Sequence, residues 1–110
     1  MEATTSKINL GSTEEFESVV LESPVPVLVD FYADWCGPCR MVSPLLDQLL
    51  EEAETPVRVV KVDVDAMPEL AGRFGIMGIP TLLVMNDGDL VDKTVGVPSL
   101  DKLLEMIDVA

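Results

Sequence analysis

The chain has 110 residues, 48% of them hydrophobic, which is enough for one domain spanning residues 1–110 with a core of its own. Twenty acidic residues against seven basic ones, and no histidine, give a formal charge of −13, which argues against nucleic acid or an anionic membrane as partner. With only two cysteines, the fold must rest on a packed interior and not on a disulfide framework.

Met1 to Leu10 carries two charges and no apolar run of the kind a secretory leader needs, and no stretch approaches the length of a membrane span. The expected location is therefore the reducing cytoplasm, where paired cysteines serve catalysis or metal binding more often than structure. The acidic residues are scattered among apolar ones. They read either as an ordinary solvated surface or, with only four lysines in the chain, as adaptation to a high-salt host whose ions screen the repulsion.

No repeat, low-complexity tract or linker divides the sequence. After a short strand near Ile8 to Leu10, Ser12 and Glu15 have the spacing of a capping box, and Phe16, Val19 and Val20 hold helical spacing behind it. Val25 to Tyr32 is almost continuously apolar and β-branched, the pattern of a strand buried on both faces, interrupted by Asp30. From about Cys36 a long helix carries Val42, Leu45, Leu46, Leu49, Leu50 and Ala53 on one face, with a kink expected at Pro44. Val57 to Val64 predicts a strand, and Pro68 to Phe74 a short helix stopped by Gly75. Thr81 to Met85 and Leu90 to Val97 flank Asn86, Asp87 and Gly88, a turn that predicts an antiparallel hairpin. Ser99 opens a last helix, with Leu100, Leu103, Leu104 and Ile107 on its buried face. The order β-α-β-α-β-α-β-β-α predicts an α/β domain.

The cysteines lie three positions apart, at the junction of the buried strand and the long helix. A bridge across so short a loop constrains little of the unfolded chain, which favours a labile redox bond over a structural clamp. Residues i and i+3 of a helix share a face at about 5 to 6 Å, close enough for a disulfide. The amides and dipole of a helix N-terminus favour a thiolate on Cys36, below the pKa of about 8.5 of a free thiol. Pro38 suits a first turn, where its missing N–H is no loss, and stiffens the loop between the sulfurs. Two other readings compete: half of a zinc site, for which this chain has no further cysteine or histidine ligands, and a pair of inert buried thiols.

Trp35, Cys36, Gly37, Pro38 and Cys39 spell WCGPC directly after VDFYAD, Gly78 to Thr81 spell GIPT, and Asn86 to Gly88 and Gly96 follow in order. In these segments, and over nearly its whole length, the sequence resembles the thioredoxin family. That resemblance implies the thioredoxin fold, a five-stranded mixed sheet flanked by four helices. It implies a general protein disulfide reductase that needs no cofactor of its own and acts as a monomer. Cys36 becomes the exposed attacking thiol and Cys39 the shielded resolving one. Asp30 matches the family's buried carboxylate that moves the Cys39 proton, and Lys61 a lysine near it. A backbone-bonded aspartate and a snorkelling lysine are the competing readings. Pro80 matches the family's cis-proline, before which Ile79 pairs with the substrate main chain by strand addition. Trp35, Gly37, Pro38, Met77, Gly96 and Val97 complete the docking rim, and core packing is the alternative for the apolar ones.

The implied partners are a thioredoxin reductase, flavin- or iron–sulfur-dependent, and clients such as peroxiredoxin, methionine sulfoxide reductase or ribonucleotide reductase. Tyr32 in place of a common Trp, Arg40 in place of Lys, and Pro98 after Val97 depart from the family pattern and bear on the shape of the rim. A rival reading makes the fold a docking subunit whose thiols are incidental.

Overall fold

Val27 to Phe31 is wholly buried in the computed structural model, which describes residues 6–110. This run forms most of β2 (Val27–Tyr32), the central strand of a five-stranded sheet of order β1-β3-β2-β4-β5. The other strands are β1 (Ser6–Asn9), β3 (Arg58–Asp63), β4 (Thr81–Asn86) and β5 (Asp89–Val95). β1 and β2 run parallel to β3, whereas β4 runs antiparallel to both β2 and β5, so the sheet is mixed. Four helical segments flank it: a π-helix at Glu17–Leu21, α1 (Gly37–Glu52), α2 (Pro68–Arg73) and α3 (Leu100–Asp108).

Strand periodicity sends alternate side chains of β2 to opposite faces. Val27, Val29 and Phe31 pack with Phe16, Val20, Met67 and Leu70 beneath the π-helix and α2. Leu28 packs with Val42, Leu46 and Leu49 of α1 and Leu103 and Ile107 of α3. Each such aliphatic side chain contributes about 1.5–3 kcal/mol by leaving water. Asp30, two residues beyond Leu28, shares its face and is turned toward the α1 layer.

Several boundaries differ from the sequence expectation by one or two residues, and three of the differences have a local reason. No capping box forms at Ser12: the Glu15 carboxylate accepts from the Gly11 amide at 2.8 Å. Behind it the chain winds as a π-helix, in which the Glu22 amide donates to Glu17 O, five residues back. Arg58 of β3 donates from Nη1 to Val19 O at 2.8 Å, tying that turn to the start of an interior strand. β2 starts at Val27, because the preceding Pro26 has no N–H for the ladder. β5 stops at Val95, where Gly96 turns the chain at φ 93° and donates to Pro80 O.

The hairpin is as expected. Asn86 pairs with Asp89, and Asp87 (φ 54°) and Gly88 (φ 81°) both occupy the left-handed region that a two-residue type I′ loop requires. The Ser99 side chain accepts from the Lys102 amide and caps α3. α1 runs through Pro44 as one helix.

Among the described residues one ion pair, Lys7 Nζ to Asp47 Oδ1 at 2.6 Å, offsets the acidic surface. The folded chain therefore holds its charge of −13 against little internal compensation. Because molar salt shortens the screening length to about 3 Å, molar KCl is expected to raise the melting temperature by about 5 °C or more. An unchanged melting curve between low and molar KCl contradicts a repulsion-limited fold.

Candidate active site

β2 ends where α1 begins, and the two cysteines occupy that junction. Cys36 is the N-cap of α1, in extended backbone, and its sulfur accepts from the Cys39 amide at 3.2 Å. A cysteine thus fills the position that Ser or Asp commonly takes at a helix start. Gly37 and Pro38 form the exposed first turn, where the imino nitrogen of Pro38 forfeits no helical bond. Cys36 and Cys39 are joined by a disulfide with Cα atoms 5.3 Å apart, inside the ordinary range for such a bridge. Among the described residues no cluster of three or more candidate metal ligands occurs.

Burial does not separate the two thiols as expected. Cys36 is 4% exposed and Cys39 5%. The bridged Cys36 sulfur is turned inward, 3.9 Å from Ile79 O, and both cysteines pack with Ala33. What distinguishes Cys36 is its place at the cap, where amide and dipole favour negative charge on sulfur.

Six residues before Cys36, Asp30 faces the α1 layer from β2. It is 1% exposed, and neither carboxylate oxygen has a hydrogen-bond partner. The reading as a backbone-bonded aspartate is thereby excluded. Burial pushes its pKa up from 3.8 to about 6, against the opposing pull of the Lys61 ammonium. Lys61 is the register partner of Asp30 on β3, yet its Nζ donates to Ser43 Oγ at 3.1 Å and stands 4.6 Å from the centre of the Tyr32 ring. A cavity of about 130 Å³ opens here, lined by Tyr32, Ala33, Asp34, Cys39, Arg40, Ser43 and Lys61. The Tyr32 hydroxyl is also raised, first by burial and then by Asp63, Asp34 and Asp30.

On the other side of the dithiol is an apolar groove of about 320 Å³, lined by Trp35, Val64, Ala71, Ile76, Met77, Gly78 and Ile79. Trp35, 68% exposed, is fixed over it by a bond from Nε1 to Asp65 Oδ2 at 2.8 Å. Asp63 Oδ1 in turn accepts from the amides of Asp65 and Ala66. The Ile79–Pro80 bond is cis. Pro80 is buried, its carbonyl held by Gly96, and among the described residues neither the N–H nor the C=O of Ile79 enters a backbone hydrogen bond. Val97 is exposed beyond Gly96, outside the groove lining.

The structure therefore bridges Cys36 to Cys39, places Cys39 and Lys61 on one cavity and Asp30 opposite Lys61 in register, and gathers Trp35, Met77 and Ile79 in the groove. Sequence reading missed Ser43 and Asp65. Ser43 lies four residues beyond Cys39, so helix periodicity placed it on the same face. Asp65 is 30 residues from its indole partner and had no local signal.

A redox dithiol at a helix start, with a buried carboxyl on one side and an apolar groove with free main chain on the other, defines a protein-disulfide oxidoreductase. The family model "Thioredoxin" matches residues 7–109. The chain is 47% identical over 93 residues to Thioredoxin 1 of Synechococcus elongatus, covering 84% of this chain and 87% of that one. It is 40% identical over 95 residues to a thioredoxin of Rickettsia bellii, covering 86% and 90%. A solved mutant thioredoxin from Halobacterium salinarum superposes with a TM-score of 0.87 at 35% identity, covering 99% of this chain and 94% of that one. The chain belongs to the thioredoxin family and is a dithiol–disulfide reductase. Its partners are accordingly a reductase and disulfide-bearing clients. Among the described residues no helix is long and apolar enough to cross a membrane.

The Asp30 carboxyl is protonated in both folded and unfolded chains below pH 3.8, so its burial costs no ionisation there. Above about pH 6 it is ionised in both, and the full cost is present. That interval of about two pH units corresponds to roughly 3 kcal/mol. With both proteins oxidised, Asp30→Asn is expected to gain stability relative to the parent by about this amount between pH 4 and pH 6 and to hold the gain above. Denaturant titrations across that range check it; parallel stability–pH curves for the two proteins contradict it.

Proposed function

We propose that residues 1–110 form a single thioredoxin domain acting as a general reductant of protein disulfides in the cytoplasm, with Cys36 as the attacking thiol. The observation that carries the assignment is the Cys36 sulfur in the capping position of α1, accepting from the Cys39 amide. A thiolate there attacks one sulfur of the client disulfide, forming a Cys36–client mixed disulfide and releasing the other client sulfur as thiolate. Asp30, ionised above about pH 6, takes the Cys39 proton, with Lys61 as the neighbouring cation. The Cys39 thiolate attacks the Cys36 sulfur, closing the intramolecular disulfide and freeing the second client thiol. Two electrons pass to the client, and the bridged form described above is the product.

The apolar groove and the free main chain of Ile79 support docking of an extended client segment by strand addition, with Trp35, Met77 and Ile79 against its side chains and Gly37, Pro38, Pro80, Gly96 and Val97 bordering it. A thioredoxin reductase restores the dithiol. Peroxiredoxin, methionine sulfoxide reductase and ribonucleotide reductase are clients of the expected chemistry.

Incubation of cysteine variants with a disulfide client, read by mass spectrometry, tests the assignment. Cys39→Ser is expected to accumulate one covalently bound client per chain, and Cys36→Ser to reduce disulfides no faster than background. Capture by Cys36→Ser and not by Cys39→Ser reverses the roles.

A further inference from the structure

Lys61 and Asp30 are opposite one another in register, yet the ammonium bonds to Ser43 and the carboxylate has no partner. The position of this cation is therefore set from α1 and not by the carboxylate it faces. We propose that Ser43 is a positioning residue for the second exchange step: its hydroxyl tethers the Lys61 ammonium in the wall of the cavity that Cys39 also lines, on the strand that pairs with Asp30. The inference rests on the reading of Asp30 as the base for Cys39.

Two contacts hold the ammonium, the Ser43 Oγ at 3.1 Å and the face of the Tyr32 ring at 4.6 Å. The ring attracts a cation but gives it no directed acceptor. Without the hydroxyl, the flexible lysine gains rotamer freedom and hydration by swinging out of the wall. No other cation takes its place. Arg40, the other basic residue lining the cavity, is committed through Nη2 to Asp34 O at 2.8 Å. The remaining charged or titratable groups around the pair are Asp34 on the loop before α1, Asp63 on β3, Tyr32 on β2 and Cys39 on α1. β4 presents Leu82 opposite Asp30, and α3 packs Leu103, Met106 and Ile107 into this layer. Losing Lys61 thus removes the cation that favours the Asp30 carboxylate and leaves its burial unopposed, so the ionised form is disfavoured.

The cavity, at about 130 Å³, has room for water at about 30 Å³ per molecule. Cys39, Ser43 and Lys61 line it together, so the tether also keeps a charged, hydrating group on the side from which a proton leaves the buried pair.

The test follows the Asp30 carboxyl by infrared titration of the oxidised protein, with Asp30→Asn identifying its band. In Ser43→Ala the midpoint is expected to rise by about half to one pH unit, and in Ser43→Thr, which keeps the hydroxyl, to return to the parent value. Lys61→Gln should raise it as well, with Ser43→Ala adding nothing further in that background. In stopped-flow reduction of a client disulfide, the second step of Ser43→Ala should be about three- to tenfold slower at pH 5 and converge with the parent by pH 8. An unmoved or lowered midpoint in Ser43→Ala, or no return in Ser43→Thr, overturns the tether. A parent-like pH profile in Asp30→Asn overturns the base assignment, and with it the part of Ser43 in exchange. A changed profile in Asp30→Asn beside an unchanged one in Ser43→Ala overturns the Ser43 inference alone.

Discussion

Coverage of β2 on both faces is the constraint from which the site follows. A strand with helical layers above and below has no solvent for its side chains, so a carboxyl placed in it loses hydration and prefers its protonated form. Asp30 is such a group, and the shared face with Leu28 turns it toward α1. The same strand delivers the chain to the N-terminus of α1, where unpaired amides favour anionic sulfur. The strand that raises the carboxyl pKa by burying it thereby also delivers a cysteine to the cap of α1.

The architecture was legible because its signals are local. The apolar run of β2, the apolar stripe of α1 and the Asp87–Gly88 turn each encode their element within a few residues. The features that escaped are set by partners distant in sequence. Arg58 takes the carbonyl of Val19 from 39 residues away, and nothing in Ser12 to Leu21 announces the π winding. The Ser43 hydroxyl finds Lys61 18 residues on, and Asp65 finds Trp35 across 30. The similar burial of the two cysteines had no local signal either, since the Ile79 carbonyl beside Cys36 is 43 residues away in sequence. Resemblance carried the roles of Asp30 and Lys61 further than the residue pattern did, but it gave no hint that Lys61 is bonded to a serine.

Net charge and site charge run in opposite senses. A chain at −13 places two of its seven basic residues, Arg40 and Lys61, around one cavity beside the resolving cysteine. Their heads are held, one by a backbone carbonyl and one by a hydroxyl, and neither forms a carboxylate ion pair there. The Lys61 contact is less sensitive to bulk salt than an exposed ion pair, because part-buried groups are screened weakly. The electrostatics that tune Asp30 are therefore insulated from the ionic conditions that act on the acidic surface.

The groove beside the dithiol limits what such a site can discriminate. None of its lining residues is charged, and Met77, 98% exposed, is a flexible and polarisable side chain that adapts to varied shapes. Among the described residues the amide and carbonyl of Ile79 make no backbone hydrogen bond, and main-chain groups of that kind do not discriminate side chains. Selection against a wrong partner needs a clash or an unpaired polar group, and this lining supplies few of either. What remains fixed is orientation: Trp35, pinned by Asp65, walls one side of the groove, and the cis Ile79–Pro80 segment lies next to the Cys36 sulfur. A lining without charge beside a fixed indole and a fixed cis segment thus constrains the direction of an approaching chain more than its side chains.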